Sequence, residues 1–179
     1  HEAARQEGAI LHSVAEPSIR QEIAKLVEEG DAMQWSNPAW RRELAAWMAP
    51  RSRGEGLSIP APVAPLVRLV VRMFNMGATV GRSDRKLAEA APYLGVLTTD
   101  GDTVYEWLQA GQALQRALLT GCRYGLQAAF LNQPIQIASL RVKIKEKLGS
   151  GTPQILLRFG YPGRPQTPPP RKLCADVVE

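Results

Sequence analysis

Histidine and cysteine are almost missing from this chain: His1 and His12 are its only histidines, and Cys122 and Cys174 its only cysteines, in 179 residues. Two histidines cannot build a histidine-rich metal site or two separate histidine-dependent centres, and no metal is expected. A Ser-His-Asp arrangement through His12 lacks any nucleophile-elbow motif. The two cysteines form no metal or redox spacing and read as reduced thiols. Aromatic residues are also scarce, at 6%, and the basic residues behind a modest net charge of +5 are scattered among Asp and Glu. That excludes the interleaved basic and aromatic surface that holds single-stranded nucleic acid. A ligand phosphate accounts more economically for any local basic cluster. No apolar run reaches the roughly 20 residues of a membrane span, so no membrane partner is expected. The opening residues His-Glu-Ala-Ala-Arg-Gln-Glu-Gly are polar, unlike a signal peptide, and the expected location is cytoplasmic. The chain also starts without methionine, which suggests a piece of a longer protein whose upstream part is absent.

Hydrophobic residues at 45% and charged residues at 22% are ordinary globular values. The length suits one domain with a sizeable excursion. Its organising stretch runs from Asp102 to Gln136, a long helix followed by an apolar loop ending Asn132-Gln133-Pro134-Ile135-Gln136. At about 100° per residue, Ala110, Ala113, Ala117 and Gly121 share one narrow stripe. Trp107, Leu108, Leu114, Leu118, Leu119 and Cys122 continue the apolar arc, which predicts a buried helix. Side chains this small let another backbone or a flat ligand come close, and tight helix packing explains them equally well.

Before this helix, Gly8 to Val14 fits a buried strand, and Ser18-Ile-Arg-Gln21 opens a helix that should end at Gly30. Asn37-Pro38 is a second helix start, with Trp40, Leu44, Trp47 and Met48 on its inner face. Arg51 to Pro65, rich in glycine and proline, reads as irregular. Leu66 to Met76 then forms an amphipathic helix, so that residues 51–91 resemble a lid-like excursion; partner contact, ordinary packing and a membrane surface are its alternatives. Asp84 to Ala91 predicts a short helix, Pro92 to Thr99 a strand, and Asp102 a helix cap. Ser139 to Leu148 predicts a basic, solvated helix and Pro153 to Tyr161 the clearest strand. The prolines after Gly163 predict an extended arm over 163–179. Strands separated by long helices indicate a mixed α/β or α+β domain.

The run Trp107-Leu-Gln-Ala-Gly-Gln-Ala-Leu114, then Pro134-Ile135-Gln136, then Gln154-Ile-Leu-Leu-Arg-Phe-Gly160-Tyr161-Pro162, then a Pro-Arg-Lys tail, resembles the FMN-dependent nitroreductase superfamily. The likeness is to the C-terminal half of its Acg-like branch, in which two nitroreductase-like halves share one chain. It implies an α+β fold: a central, mainly antiparallel sheet flanked by helices around a long buried helix, with an extended C-terminal arm. The domain would span 1–179, with the upstream half missing. The resemblance also implies FMN as cofactor and NAD(P)H as a transient reductant. Pro134, Ile135, Gln136 and Ile137 match the segment that passes the flavin ring, and Arg171, with Lys172 beside it, matches the basic residue that contacts the FMN phosphate.

Gln136 stands where the family commonly has glutamate, which leaves the catalytic residues unassigned. Two further flavin-holding motifs of the family, an Arg-and-Ser phosphate motif and an Asn-x-Gln-Pro segment, do not precede the first strand. The chain is therefore expected to supply half a site, completed by a second nitroreductase-like half in the same full-length chain or a homodimer. Three functions follow as expectations. They are NAD(P)H-dependent reduction of a small-molecule acceptor such as a nitroaromatic or quinone, FMN sequestration without turnover, and an interaction domain without cofactor.

Overall fold

The computed structural model describes residues 1–50 and 57–163. In chain order these contain α1 (Glu2–Arg5), β1 (Ile10–Ser13), α2 (Pro17–Ser36), α3 (Pro38–Trp47), β2 (Met48–Pro50) and β3 (Leu57–Ile59). A 3-10 turn leads to α4 (Ala64–Met73) and α5 (Gly77–Glu89). Then come β4 (Tyr93–Thr99), α6 (Val104–Arg123), β5 (Gln127–Phe130), α7 (Gln133–Gln136), α8 (Ala138–Leu148) and β6 (Thr152–Gly160). The chain divides into two compact units, one of residues 1–31 and 78–163, the other including residues 32–77.

The larger unit is built on a sheet of order β1-β4-β6-β5, antiparallel at every pairing. Side chains alternate across a strand. Leu94, Val96 and Leu156 therefore enter one core with Ile23 and Val27 of α2, Ala88 of α5, and Leu140 and Ile144 of α8. Leu97, Leu157 and Phe159 enter the other with Ala4 of α1, Leu11 of β1, and Ala110 and Ala113 of α6. Helices thus cover both faces of the sheet, the α+β layering expected from the sequence. No single helix among the described residues is long and apolar enough to cross a membrane.

Several local expectations are corrected. Helix α2 continues through Gly30 to Ser36; the glycine marks a place where another backbone comes close, not a helix end. Thr103, not Asp102, caps α6: its amide donates to Glu106 Oε2 at 2.9 Å, the reciprocal half of a capping box. Asp102 instead accepts from Trp107 Nε1 at 2.8 Å and from Arg141. The central helix is buried on one side only. Ala110, Ala113 and Gly121 are inside, whereas Trp107, Leu108 and Leu119 are exposed. The segment read as an apolar loop contains the edge strand β5, too short for a clear periodicity. The basic helix α8 is not simply solvated, since Arg141 bonds Asp102, Pro153 O and Gln154, while Lys143 pairs with Glu29 and Lys147 with Glu22.

In the smaller unit Asn37 caps α3 by accepting from Ala39 N at 2.9 Å, as its sequence predicts. Trp40 packs on Trp35, with ring centroids 5.5 Å apart, but Trp47 is exposed rather than a core anchor. On α4 the buried side is Ala64 and Val71; Leu66, Met73 and the following Phe74 face outward.

Candidate functional site

The segment Pro134–Ile137, the sequence's candidate for contact with a flavin ring, lies between β5 and α8. It is anchored at its start. Leu131 N donates to Leu156 O at 2.9 Å, and Asn132 Oδ1 accepts from Leu156 N at 2.8 Å. Asn132 O then accepts from Ile135 N at 3.0 Å and Gln136 N at 3.1 Å, closing the short turn of α7. Proline suits the first turn of a helix, where its missing N–H is not needed, and Pro134 is buried there. Ile135 and Ile137 pack half-buried against the α2-side core, while Gln136 is exposed.

Ile137 leaves helical geometry, at φ −105° and ψ 111°, and starts α8 without a side-chain cap. The first-turn amides of a helix lack intrahelical acceptors and sit at the positive end of its dipole. No acidic residue occurs in the first turn of α8, and residues 131–140 contain none. The start of α8 therefore favours negative charge beside it. Pro134, Ile135, Gln136 and Ile137 are thus brought together in one turn. Arg171 and Lys172 lie outside the described residues, as do Cys174 and the arm from residue 164 onward.

Behind this turn is a partly buried polar cluster that sequence reading did not single out. Gln133 Nε2 donates to Asp84 Oδ2 at 2.8 Å and reaches both Asp31 carboxylate oxygens at 3.3 Å. Asp31 is 2% exposed. Its burial, reinforced by the charge of Asp84 and opposed by the Gln133 bond, pushes its pKa up to about 6. Burial also raises Asp84, against the Gln133 bond and the positive charge of Arg158. Arg158 stands on β6 opposite Leu94 and Ala129, on the sheet face covered by α2. Its Nε and Gln133 Oε1 are buried with no hydrogen-bond partner among the described residues. One signal was available: Arg158 interrupts the apolar run of the strongest strand.

A concavity of about 290 Å³ lies at the C-terminal end of α6 and is lined by Tyr93, Ala117, Gly121, Tyr124, Phe159 and Tyr161 among others. A Cβ on Gly121 would come within 3.2 Å of the Phe159 ring, so part of the small-residue stripe serves close packing here. Burial raises the Tyr93 hydroxyl to about 12, which keeps it protonated. The cavity belongs to the α6 side of the sheet, whereas Ile135 and Ile137 pack on the α2 side. His12 Nε2 lies 2.9 Å from Thr98 Oγ1, and burial lowers its pKa. No cluster of metal-ligating residues occurs among the described residues.

No protein-family model matches the sequence. Two curated proteins, each named "Putative NAD(P)H nitroreductase", from Mycobacterium tuberculosis strains CDC 1551 / Oshkosh and H37Rv, are 30% identical to it over 147 residues. The match covers 77% of this chain and 42% of theirs, so it spans less than half the length of these relatives. Among solved structures it resembles a BluB-like flavoprotein from Clostridium difficile 630, with a TM-score of 0.54, 12% identity, and coverage of 99% of this chain and 86% of that one. At that identity the likeness speaks for fold alone. The chain therefore has the layered fold of a nitroreductase-like flavoprotein, and most of its sequence is similar to two proteins named "Putative NAD(P)H nitroreductase".

Proposed function

We propose that this chain is the flavin-binding part of an FMN-dependent oxidoreductase, with Pro134–Ile137 and the start of α8 against the ring and Arg171, with Lys172, at the phosphate. The observation that carries the proposal is the match over 77% of the chain with proteins named "Putative NAD(P)H nitroreductase", which coincides with a flavoprotein fold. The lack of acidic residues around the start of α8, which has no side-chain cap, adds to it. Bound FMN supplies two-electron exchange between a reduced nicotinamide and a nitroaromatic or quinone acceptor.

The chain's own part is to bind and orient. Ile135 and Ile137 give the turn an apolar footing that excludes water from one side. The uncapped amides at the start of α8 favour added negative charge without needing a side-chain proton. Gln136 offers shape and hydrogen bonding but no charge. A second nitroreductase-like half, from the same full-length chain or a second copy in a dimer, completes the site, in line with the 42% of the relatives' length that this chain covers.

The test is made on purified full-length protein, which should be yellow; colourless protein that takes up no FMN overturns this reading. Anaerobic addition of NADH or NADPH should bleach the colour. Colour that survives both reductants would mark a flavin store instead of an enzyme, a reading favoured only by the uncharged Gln136.

A further inference from the structure

We propose that Asp31 and Asp84 are positioning residues that clasp Gln133 between them and thereby set the place of the Pro134–Ile137 turn against its ligand. The ligand part of this inference rests on the flavin reading; the clasp itself does not. Gln133 is the residue just before the turn, and its Nε2 is directed at both carboxylates, at 2.8 Å for Asp84 and 3.3 Å for Asp31. The backbones close in at the same point. A Cβ on Gly30 would come within 2.8 Å of Gln133 Cβ and 3.1 Å of Pro134 N, and a Cβ on Gly81 within 3.2 Å of Asp31 Cβ. Helices α2 and α5 therefore meet α7 at the turn.

Stability alone does not account for the cluster. The buried Asp31 carboxylate, beside a half-buried Asp84, opposes folding, and apolar side chains of similar volume usually serve stability better. A polar cluster does give one fixed arrangement, since sliding α7 would leave buried charges without Gln133. The charged groups facing it are Asp31 from α2, Asp84 from α5 and Arg158 from β6. Neighbouring charges are engaged elsewhere: Glu28 with Arg85, Lys143 with Glu29, and Arg141 with Asp102.

The test uses the full chain, its Gln133→Met and Asp31→Asn variants, and FMN as probe. In amide-resolved NMR of the wild type, lowering the pH from about 7.5 to about 5 should move the Gln133 side-chain amide and the amides of Ile135, Gln136 and Ile137 together, and Asp31→Asn should abolish that movement. Gln133 titrating without its neighbours, or no titration, overturns the proposal. Gln133→Met should speed hydrogen exchange at residues 135–140 by about tenfold or more while β4 and β6 keep their protection. It should weaken FMN binding by a similar factor. Faster exchange with unchanged FMN affinity refutes the positioning role, and unchanged exchange refutes the clasp. Should Gln133→Met not fold, the near-isosteric Asp31→Asn decides by titration. Wild-type protein that binds no FMN overturns the flavin reading, while exchange and titration still decide the clasp.

Discussion

Arg141 grips Asp102 with both terminal nitrogens, Nη1 to Oδ2 and Nη2 to Oδ1, each at 2.8 Å. This fork joins α8 to the residue just ahead of α6, and Arg141 Nε also donates to Pro153 O at 2.6 Å. A planar guanidinium matches a carboxylate in this way, and lysine cannot.

Arg141→Ala should therefore cost more than Asp102→Ala. Both side chains are partly exposed, at 24% and 43%, so solvent screens the pair. Asp102→Ala is expected to lose about 1 kcal/mol or less. Arg141→Ala is expected to lose about 1–2 kcal/mol, because the Pro153 and Gln154 bonds go as well. Urea unfolding at neutral pH measures both. The Arg141 bonds, helped by Trp107, hold the Asp102 pKa below the ordinary carboxylate range. A depressed folded pKa adds stability above the unfolded value and loses it as pH falls through the folded one. The penalty of Asp102→Ala should accordingly shrink only in acid, below the usual carboxylate range.

Asp31 has the opposite sign. Its folded pKa is about 6 against an ordinary 3.8, so the native state holds the proton more tightly than the unfolded chain. That contribution is fully present below the ordinary value and is lost as pH rises to about 6. Asp31→Asn should remove this slope and raise stability at pH 7 by about 1–3 kcal/mol. Unfolding midpoints between pH 4 and 7.5 check it; parallel curves for wild type and variant would refute it.

Two helical glycines should respond differently to alanine. At Gly30 the new methyl meets Gln133 Cβ at 2.8 Å and the Gln133 carbonyl carbon at 3.0 Å, so backbone has to move. Overpacking of about 1–3 kcal/mol should exceed the gain in helix propensity. At Gly111 nothing lies within 4 Å, and alanine should stabilise α6 by up to about 1 kcal/mol. Thermal unfolding of the two variants compares them directly.

Arg171→Ala should weaken FMN binding by about tenfold or more and riboflavin binding far less, since only FMN carries the phosphate. Titration of both flavins by fluorescence quenching tests this, and equal losses would remove Arg171 from the phosphate site.

Much of the fold could be read locally. Alternation in β4 and β6, the Asn37 cap and the helical repeat of α6 each depend on neighbours a few residues away. Strand β5 was hidden because four residues of Gln-Ala-Ala-Phe carry no period, and they become a strand only by pairing with β6. The turn at Pro134–Ile137 was legible as a motif. Its supports were not, because Asp31 and Gln133 are 102 residues apart and Asp84 and Gln133 49 apart.

By itself the sequence determined the longer helices, the core strands β4 and β6 and the small-residue stripe, because propensity, capping and periodicity act over one or two turns. It also carried the resemblance that pointed to a flavin. Only the tertiary structure decided which side of α6 is buried, why Asp102 faces Arg141 instead of capping, and which charges stand behind Gln133. Those outcomes depend on which surfaces the closed sheet brings within hydrogen-bond range. The free energy of a buried carboxylate depends on partners that the chain meets only when it folds.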